Sequence, residues 1–303
     1  MRVLVTGSSG FVGRWMCRHL ESSGDEVLEL PVTLDIRDAA ELSQALAEAS
    51  PDAICHLAAQ ANVSASWRDP AETFSVNALG TLNLCVAAAA LEHKPKVLLV
   101  STSEVYGRVP PERMPVAEDE PFAPVNPYAA SKVAAEMAGL QAWLGRGLEV
   151  VRARPFNHTG PGQMEGFVVP DLAHQVMRAA KGELDCISTG NISVRRDLSD
   201  VRDVVRAYRL LLVQGEPGQA YNICRGEAVA ISSLLERLME LAGVDVPVRP
   251  DPSRYRPADV PEHVGDPARL AALTGWHSLV PLDQTLADVL ASVKAQQDQS
   301  LES

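Results

Sequence analysis

A threonine, a tyrosine and a lysine in the middle of the chain have the types and the spacing that acid–base chemistry needs. Tyr128 and Lys132 are four residues apart in NPYAASK, a segment typical of a helix start, so they lie one turn apart on one helix face. A phenol has an ordinary pKa of about 10, and a nearby ammonium lowers it. We expect Tyr128 to exchange a proton with a carbonyl or alcohol oxygen, while Lys132 lowers the tyrosine's pKa and Thr102 hydrogen-bonds the same oxygen.

The same spacing also occurs at ordinary helix starts, where the tyrosine packs and the lysine is solvated. A glycine motif favours the chemical interpretation. Gly7, Gly10 and Gly13 lie in VTGSSGFVGR, between the first predicted strand and the first predicted helix. Glycines at such a turn let the backbone approach a pyrophosphate closely, and the helix N-terminus offers free N–H groups to the phosphates. This context favours a dinucleotide-binding loop over a simple tight turn.

Short β-branched segments alternate with amphipathic ones through the first half of the chain, and they must position these residues. We predict strands at RVLVT, EVLEL, DAICHLA, KVLLVS and LEVVRARP, with helices between them. This alternation predicts an α/β fold with a doubly wound parallel sheet of the Rossmann type. Thr102 follows the fourth strand, at the carboxyl edge where open α/β sheets bind ligands.

The second half of the chain loosens into short mixed elements separated by Gly-Pro turns. The segments DVRDVVRAYRLLL and AYNIC are predicted to return to the sheet. We therefore expect a dinucleotide-binding domain of residues 1–157 and 201–224. A smaller, discontinuous substrate lobe would comprise residues 158–200 and 225–303.

Composition excludes several classes of protein. The net charge of −12 argues against a nucleic-acid partner. The seven histidines show no paired ligand spacing, so no metal site is predicted. No export signal or membrane-spanning run is evident, which indicates a cytoplasmic protein. The five scattered cysteines are expected to be small core residues in a reducing compartment: Cys17, Cys55, Cys85, Cys186 and Cys224.

The preferred nicotinamide cofactor depends on the end of the second predicted strand. A carboxylate there would bind the adenosine ribose and favour NAD(H), but EVLEL ends at Leu30-Pro31. Arg14 and Arg37 are candidates for contact with a 2′-phosphate, although either could simply be solvated. We therefore favour NADP(H) slightly over NAD(H). Asp35, in LDIRD, is a candidate for binding the adenine amine.

The order of motifs resembles the extended short-chain dehydrogenase/reductase family, and within it the enzymes acting on nucleoside-diphosphate sugars. The matching segments are TGSSGFVG, DIRD, HLAAQANV, NALGTLNL, STSEVYG, NPYAASK, RPFNHTGPGQ, RRDLSDVRDVVRAY and AYNIC. The resemblance implies that Thr102, Tyr128 and Lys132 carry catalysis. Asn77 would hold the sheet edge near the cofactor, or be an ordinary helix N-cap. The implied cofactor-binding residues are Gly7, Gly10, Phe11, Val12, Gly13, Asp35, Ile36, Leu57, Ala58, Ala59, Asn77, Tyr128, Lys132 and Pro155.

The segment RPFNHTGPGQ is similar to the version found in enzymes of GDP-6-deoxy-hexoses. It implies that Asn157 binds the diphosphate or sugar and that Arg196 lies near the nucleotide. Arg254 and Arg256 are two residues apart, so in an extended segment they share a face, and guanidinium groups suit phosphate. Solvated loop charge is the alternative for that pair. The expected substrate-binding residues are Ser103, Glu104, Asn157, Arg196, Arg254, Arg256 and Asp259.

Two reactions of this group fit the resemblance best. The first is NAD(P)H-dependent reduction of the C4 keto group of GDP-4-keto-6-deoxy-D-mannose to GDP-D-rhamnose. The second is 4,6-dehydration of GDP-mannose, for which Glu104 in Thr-Ser-Glu would be the base. Reduction is favoured because only PVTL stands where the dehydratases carry an arginine-containing insertion. A 4-epimerase and a non-catalytic nucleotide sensor remain as alternatives.

The resemblance also implies a homodimer formed through the helices of residues 70–91 and 125–145. The alanine-rich faces of these segments suit close helix packing, though the same faces could equally cover the sheet.

Overall fold

The computed structural model describes residues 1–255 and 260–302. These residues form twelve strands, numbered in chain order. The strands are β1 Arg2–Thr6, β2 Glu26–Glu29, β3 Ala53–His56, β4 Lys96–Val100, β5 Val150–Pro155, β6 Asn157–Thr159, β7 Ile187–Thr189, β8 Arg195–Asp200, β9 Ala220–Ile223, β10 Ala228–Ala230, β11 Val248–Pro250 and β12 Glu262–His263. The five strands predicted for the first half are β1 to β5.

The described α-helices are likewise numbered in chain order. They are α1 Phe11–Ser22, α2 Ala39–Ala49, α3 Val63–Arg68, α4 Pro70–Phe74, α5 Gly80–Ala90, α6 Pro127–Arg146, α7 Val168–Ala180, α8 Val201–Gln214, α9 Ile231–Ala242, α10 Ala268–Thr274 and α11 Leu282–Glu302. A π-helical turn at Ser75–Leu79 joins α4 to α5, so the predicted long helix in this region is one continuous helical stretch with a wider turn inside it.

The main sheet is parallel throughout, in the order β2-β1-β3-β4-β5-β9. The chain order reverses between β1 and β3, which is where open α/β sheets bind ligands. Strand β9 pairs with β5, so the expectation that AYNIC returns to the sheet is confirmed. The predicted fold class, a doubly wound parallel sheet of the Rossmann type, is confirmed as well.

Helices cover both faces of the sheet because its strands are apolar on both sides. One buried cluster joins α1 and α8 to the sheet through Met16, Leu20 and Tyr208. The other joins α2 and α5 to the opposite face through Leu42 and Leu84. Burial of each such side chain contributes roughly 1.5–3 kcal/mol, so these clusters fix the helices relative to the strand ends.

The helix that carries Tyr128 and Lys132 begins where its sequence dictates. Asn126 is the N-cap of α6, and its side chain accepts a hydrogen bond of 2.8 Å from the Ala129 N–H. Pro127 occupies the first helical position, where its missing N–H removes no helical bond. Gly147 ends the helix in the left-handed conformation.

The remaining strands form smaller sheets outside the main one. Strand β8 pairs with β6, β10 and β12, while β11 pairs with β7. A separate apolar cluster of α7, α9 and α11 includes Val176, Leu235 and Leu290. These elements lie after residue 156, and they position the second half of the candidate site.

The helical stretch Pro70–Ala90 is long and apolar enough, by length and composition alone, to cross a membrane. Buried core helices pass the same test, and 44% of its most apolar window is buried within the protein. It packs against α2 and α6. The sequence-based expectation that the chain has no membrane-spanning run therefore stays a prediction.

All five cysteines are free. Cys55, Cys85 and Cys224 are buried, as expected of small core residues. Cys17 and Cys186 are only half-buried, so for these two the core prediction is wrong. Cys17 still packs against the apolar cluster under α1.

Candidate active site

Thr102, Tyr128 and Lys132 meet at the carboxyl edge of the main sheet. Thr102 follows β4 and begins a short 3-10 turn, Ser103–Tyr106, where its hydroxyl accepts from the Glu104 N–H at 3.3 Å. Tyr128 and Lys132 lie in the first turns of α6 and are both buried. Spacing on a helix and the end of a neighbouring strand thus bring together the three residues that the sequence selected.

The pKa of Tyr128 is raised rather than lowered in this structure, which corrects the sequence-based expectation. Burial of the phenol is the main cause, and the charge of Glu104 adds to it. A hydrogen bond with the Thr102 side chain acts in the opposite direction. Lys132 is not among the groups that shift this pKa. The phenol is therefore held protonated at neutral pH.

The Lys132 ammonium group bonds the backbone instead of the tyrosine. Its Nζ donates to the Val100 carbonyl at 2.9 Å, at the end of β4. Burial lowers the pKa of Lys132 to about 8, and the charge of Glu136, one turn further along α6, opposes that shift. The protonated, charged fraction of Lys132 therefore changes with pH just above neutrality.

Glu104 is held by Asn126, the N-cap of α6, which is called the catalytic helix because it carries Tyr128 and Lys132. Asn126 Nδ2 donates to Glu104 Oε2 at 2.7 Å. Because Asn126 also accepts from the Ala129 N–H, it joins the turn after β4 to the start of α6. The carboxylate lies close enough to Tyr128 to act on its pKa.

The glycine loop between β1 and α1 has no room for a side chain at Gly7 or at Gly13. A Cβ on Gly13 would lie 2.1 Å from the Gly7 carbonyl oxygen, and one on Gly7 would lie 2.9 Å from the backbone nitrogen of Ala58. Gly7 also has a φ of 72°, in the left-handed region. The first turn of α1 contains no acidic residue, so its free N–H groups suit an anion.

A hollow of about 360 Å³ lies beside the loop after β2. Asp35, Ile36, Ala58 and Ala59 line it, as a site for the adenosine half of a dinucleotide requires. Arg37 lines it too and is paired with Asp35 at 2.6 Å and with Glu72 at 2.7 Å. Asp35 therefore already accepts hydrogen bonds from a guanidinium group.

Arg14, the other arginine considered for a 2′-phosphate, bonds two carbonyl oxygens. It donates to Ser9 at 2.6 Å and to Gly162 at 3.1 Å. Arg14 thus ties the glycine loop to the loop after β6. The remaining predicted cofactor residues lie at the same edge: Phe11 and Val12 begin α1, Leu57 follows β3, and Pro155 ends β5.

Asn77 lies within the π turn, so the alternative that it is a helix N-cap is wrong. Its side chain accepts from the Gln60 N–H at 2.8 Å and donates to the Gln60 carbonyl at 3.0 Å. Its Nδ2 also donates to Ser131 Oγ on α6 at 2.9 Å. Asn77 therefore links the segment after β3 to the catalytic helix.

The predicted substrate-binding residues differ in burial, in hydrogen bonding and in the kind of segment that carries them. Asn157 is exposed in β6, and Ser103 is buried in the turn after Thr102. Arg196 donates to the Val260 carbonyl at 2.7 Å. Arg254 lines a polar hollow together with Glu165 and His174 of the α7 region, but it ends a 3-10 turn rather than lying in an extended segment. Arg256 and Asp259 lie outside the described residues.

Two histidines at this edge escaped the sequence analysis. His56 ends β3, is fully buried, and bonds a threonine through each ring nitrogen. His263 in β12 stacks on Phe156 with ring centroids 4.8 Å apart. Burial and the charge of Arg196 lower the pKa of His263 to about 4, while the backbone of Ser103 opposes that shift. The signal for His56 was a lone histidine in the apolar strand DAICHLA.

Comparison with known proteins places this site in a family. The family model described as GDP-mannose 4,6 dehydratase matches residues 29–289. The chain belongs to this family. The resemblance to extended short-chain dehydrogenases/reductases that act on nucleoside-diphosphate sugars is thereby confirmed.

Relatives within the family differ in how much of their length matches. GDP-6-deoxy-D-mannose reductase from Pseudomonas aeruginosa is 40% identical over 293 residues, which is 96% of each chain. GDP-mannose 4,6-dehydratase from Yersinia enterocolitica is 29% identical over 288 residues, which is 85% of this chain and 77% of the relative. The structure of RMD from Pseudomonas aeruginosa complexed with NADPH superposes with a TM-score of 0.91 at 38% identity, covering 97% of this chain and 99% of the other.

Proposed function

We propose that this chain is an oxidoreductase that uses NADPH to reduce the C4 keto group of GDP-4-keto-6-deoxy-D-mannose, giving GDP-D-rhamnose. The observation that carries the proposal is its 40% identity to GDP-6-deoxy-D-mannose reductase over 96% of each chain. The buried Thr102, Tyr128 and Lys132 beside the glycine loop support it.

The residues around the glycine loop fit a dinucleotide, since the glycines allow the tight turn from β1 to α1 and the first turn of α1 carries no acidic residue to repel a pyrophosphate. We propose that the loop and the first turn of α1 hold the pyrophosphate, that the hollow beside Asp35 holds the adenosine, and that Arg37 meets the 2′-phosphate. The likeness to RMD complexed with NADPH supports NADP(H) over NAD(H). The proposed contacts are Gly7, Gly10, Phe11, Val12, Gly13, Asp35, Ile36, Leu57, Ala58, Ala59, Asn77, Tyr128, Lys132 and Pro155.

In the proposed mechanism, bound NADPH supplies the hydride that C4 receives. Tyr128 Oη donates its proton to the C4 oxygen as the C=O double bond becomes a single bond, and Thr102 Oγ1 orients that oxygen. Lys132 contributes the positive charge of its ammonium group to the site, from its place on the Val100 carbonyl. The phenol is protonated at neutral pH, so it carries the proton that the C4 oxygen receives. Dehydration and 4-epimerisation begin with oxidation instead, for which the tyrosine must accept a proton.

Substrate recognition is proposed to come from the second half of the chain. Asn157 is exposed next to the end of β5, and Arg254 lines the polar hollow by α7. Their exposure leaves both side chains accessible to a sugar diphosphate. We propose that Ser103 supports substrate binding by holding the turn after Thr102. Arg196 is proposed to do so by holding β8 in its sheet. The role expected for Arg256 and Asp259 stays a prediction.

The dehydratase is the second candidate, because Glu104 stands where elimination would need a base. Two observations favour the reductase. The dehydratase relative is longer, since the match covers 85% of this chain but only 77% of that protein. Only residues 30–38 join β2 to α2, which leaves no room for the insertion expected of a dehydratase.

The proposal is tested by following NADPH absorbance when the purified protein meets GDP-4-keto-6-deoxy-D-mannose, with the sugar product then identified. Prompt oxidation of NADPH with formation of GDP-D-rhamnose is expected. Conversion of GDP-mannose in the presence of NADP, without NADPH consumption in the first assay, would instead establish the dehydratase. A 4-epimerase would show tightly bound NAD and need no added cofactor.

We further propose a homodimer through α4, α5 and α6. The outer faces of these helices and of the π turn between α4 and α5 expose apolar side chains that a second copy would cover: Phe74, Leu79, Leu82, Val86, Met137 and Leu144. The helices α5 and α6 pack side by side, so these side chains lie on neighbouring helices. A self-complementary helix face of this kind suits a two-fold interface.

The lobe boundaries are also a proposal. Residues 1–157 and 201–224 include every strand of the main sheet, and we propose that 158–200 and 225–303 form the nucleotide-sugar lobe. The cytoplasmic location stays a prediction.

A further inference from the structure

His56 lies at the centre of a buried chain of hydrogen bonds. Its Nδ1 is 2.8 Å from Thr6 Oγ1, at the end of β1, and its Nε2 is 3.0 Å from Thr81 Oγ1, on α5. All three side chains are at most 3% exposed, so no water competes for these bonds. Buried polar groups that are fully paired in this way fix the positions of the elements that carry them.

The partners of the two threonines determine where the imidazole proton lies. Thr81 Oγ1 donates its hydrogen to the Asn77 carbonyl at 2.6 Å, so it must accept from His56 Nε2. Thr6 Oγ1 accepts from the Ala58 N–H at 3.1 Å and has its own hydrogen free for His56 Nδ1. The neutral imidazole with its proton on Nε2 satisfies every group. Burial and the charge of Lys132 lower the pKa of His56 to about 3, which keeps it neutral.

The chain continues to the catalytic helix. Asn77 Nδ2 donates to Ser131 Oγ, and Ser131 Oγ donates to the Tyr128 carbonyl at 2.7 Å. At its other end, Ala58 N lies so close to Gly7 that a Cβ on that glycine would be 2.9 Å from it. A series of hydrogen bonds therefore runs from Thr6, which directly precedes the glycine loop, through His56 and the π turn, to the backbone of Tyr128.

We propose that His56, through Thr81, is a positioning residue that sets the distance between the glycine loop and Tyr128. The inference rests on the proposed function, because it assigns a task to that same site. The inference deepens that function by assigning a role to a residue that touches neither the cofactor nor the sugar. Misplacement of a proton donor by about 1 Å is sufficient to cost about 100-fold in rate.

The first test removes one hydroxyl without changing shape. Thr81→Val leaves His56 Nε2–H without an acceptor, and we expect kcat for the keto sugar to fall at least about tenfold. NADPH affinity, measured by fluorescence titration without sugar, should change at most about threefold. Thr81→Ser restores the hydroxyl and should recover most of the lost turnover. Equal turnover in the Val and Ser variants would overturn the proposal.

The second test needs no substrate. In protein labelled with nitrogen-15 histidine, the His56 signals should show a protonated Nε2 and an unprotonated Nδ1. In protein labelled with carbon-13 at tyrosine Cζ, the Tyr128 signal, assigned by its loss in Tyr128→Phe, should move in Thr81→Val and return in Thr81→Ser. A proton on His56 Nδ1 would overturn the inference, and so would a Tyr128 signal that has the same position in Thr81→Val as in the wild type.

These readouts separate the two proposals. If the protein does not reduce the GDP-keto sugar but the spectra behave as described, the proposed function fails and the positioning chain stands. If the sugar is reduced but Thr81→Val turns over like the wild type, the function stands and the positioning role fails.

Discussion

Asn126 Nδ2 donates to Glu104 Oε2 at 2.7 Å, so the residue that caps the catalytic helix also holds a carboxylate that raises the pKa of Tyr128. The carboxylate is therefore an anchored part of the site and has a structural partner of its own. Whether it acts as a base in the reaction is a separate matter, and one substitution distinguishes the two roles.

Glu104→Gln keeps an oxygen that accepts from Asn126 but removes the charge. For a reductase we expect kcat to stay within about tenfold, because no proton passes through this side chain. A dehydratase would lose its base and about 10²–10⁴ in rate. Stopped assays of both reactions on the variant decide between these outcomes. Glu112→Gln, in an exposed 3-10 turn, is the matched control.

Tyr128→Phe removes the proposed proton donor and little else. The expected loss in kcat is about 10²–10⁴-fold, while the Kd for NADPH changes at most about threefold. Steady-state kinetics and fluorescence titration measure the two quantities. Tyr221→Phe removes a tyrosine hydroxyl that accepts from the Glu216 N–H, away from the site, and should leave kcat unaltered. Wild-type turnover in Tyr128→Phe would refute the catalytic assignment.

The activity should depend on pH through Lys132. Its pKa is lowered to about 8, so the charged form is present below that pH and is lost above it. We expect kcat/KM to be level from pH 6.5 to 7.5 and to fall towards tenfold per pH unit above pH of about 8. Lys132→Arg should have lower activity without this fall, since a guanidinium stays charged. A wild-type profile that is level to pH 9.5 would contradict the assignment.

Cofactor choice should depend on Arg37. If its guanidinium meets the 2′-phosphate, Arg37→Ala should raise the Kd for NADPH about tenfold and that for NADH less than about twofold. The release of Asp35 and Glu72 from their ion pairs would affect both cofactors equally. Fluorescence titration with each nucleotide measures the difference. Arg146→Ala, at the far end of α6, is the control, and an equal loss for both nucleotides would count against the contact.

The proposed interface predicts the mass in solution. Light scattering coupled to gel filtration should give about 65 kDa for the wild type, twice the 32.5 kDa of one chain. Leu82→Arg places a charge in the interface and should shift the mass towards that of one chain. Leu279→Arg, at a position that is 59% exposed outside these helices, should not. A single-chain mass for the wild type would refute the dimer.

Local patterns in the sequence were sufficient to predict much of the fold and of the site. The spacing of Tyr128 and Lys132 fixes their common helix face, and Asn-Pro before them marks where α6 begins. Thr102 could be placed near them because the ends of parallel strands share one edge of the sheet. Gly7 and Gly13 follow from the turn that β1 and α1 require.

Several side-chain contacts between distant segments could not be predicted. Glu136 is fully buried between Arg152 and Arg154, an ion cluster that joins α6 to β5. In the sequence these charges resemble those of a solvated helix and an edge strand. The raised pKa of Tyr128 depends on burial, and the link from Arg196 to the Val260 carbonyl depends on how the smaller sheets assemble. Neither has a local signature.

The pairing of β9 with β5 has a consequence for synthesis of the protein on the ribosome. Until residues 220–223 emerge, β5 is the bare edge of the sheet, with its N–H and C=O groups free to pair with another nascent chain. Strand β9 is the last strand of the main sheet and comes after more than two-thirds of the 303 residues, so this side of the sheet is completed late. Newly made chains stalled before this point should be the form that chaperones bind and that aggregates.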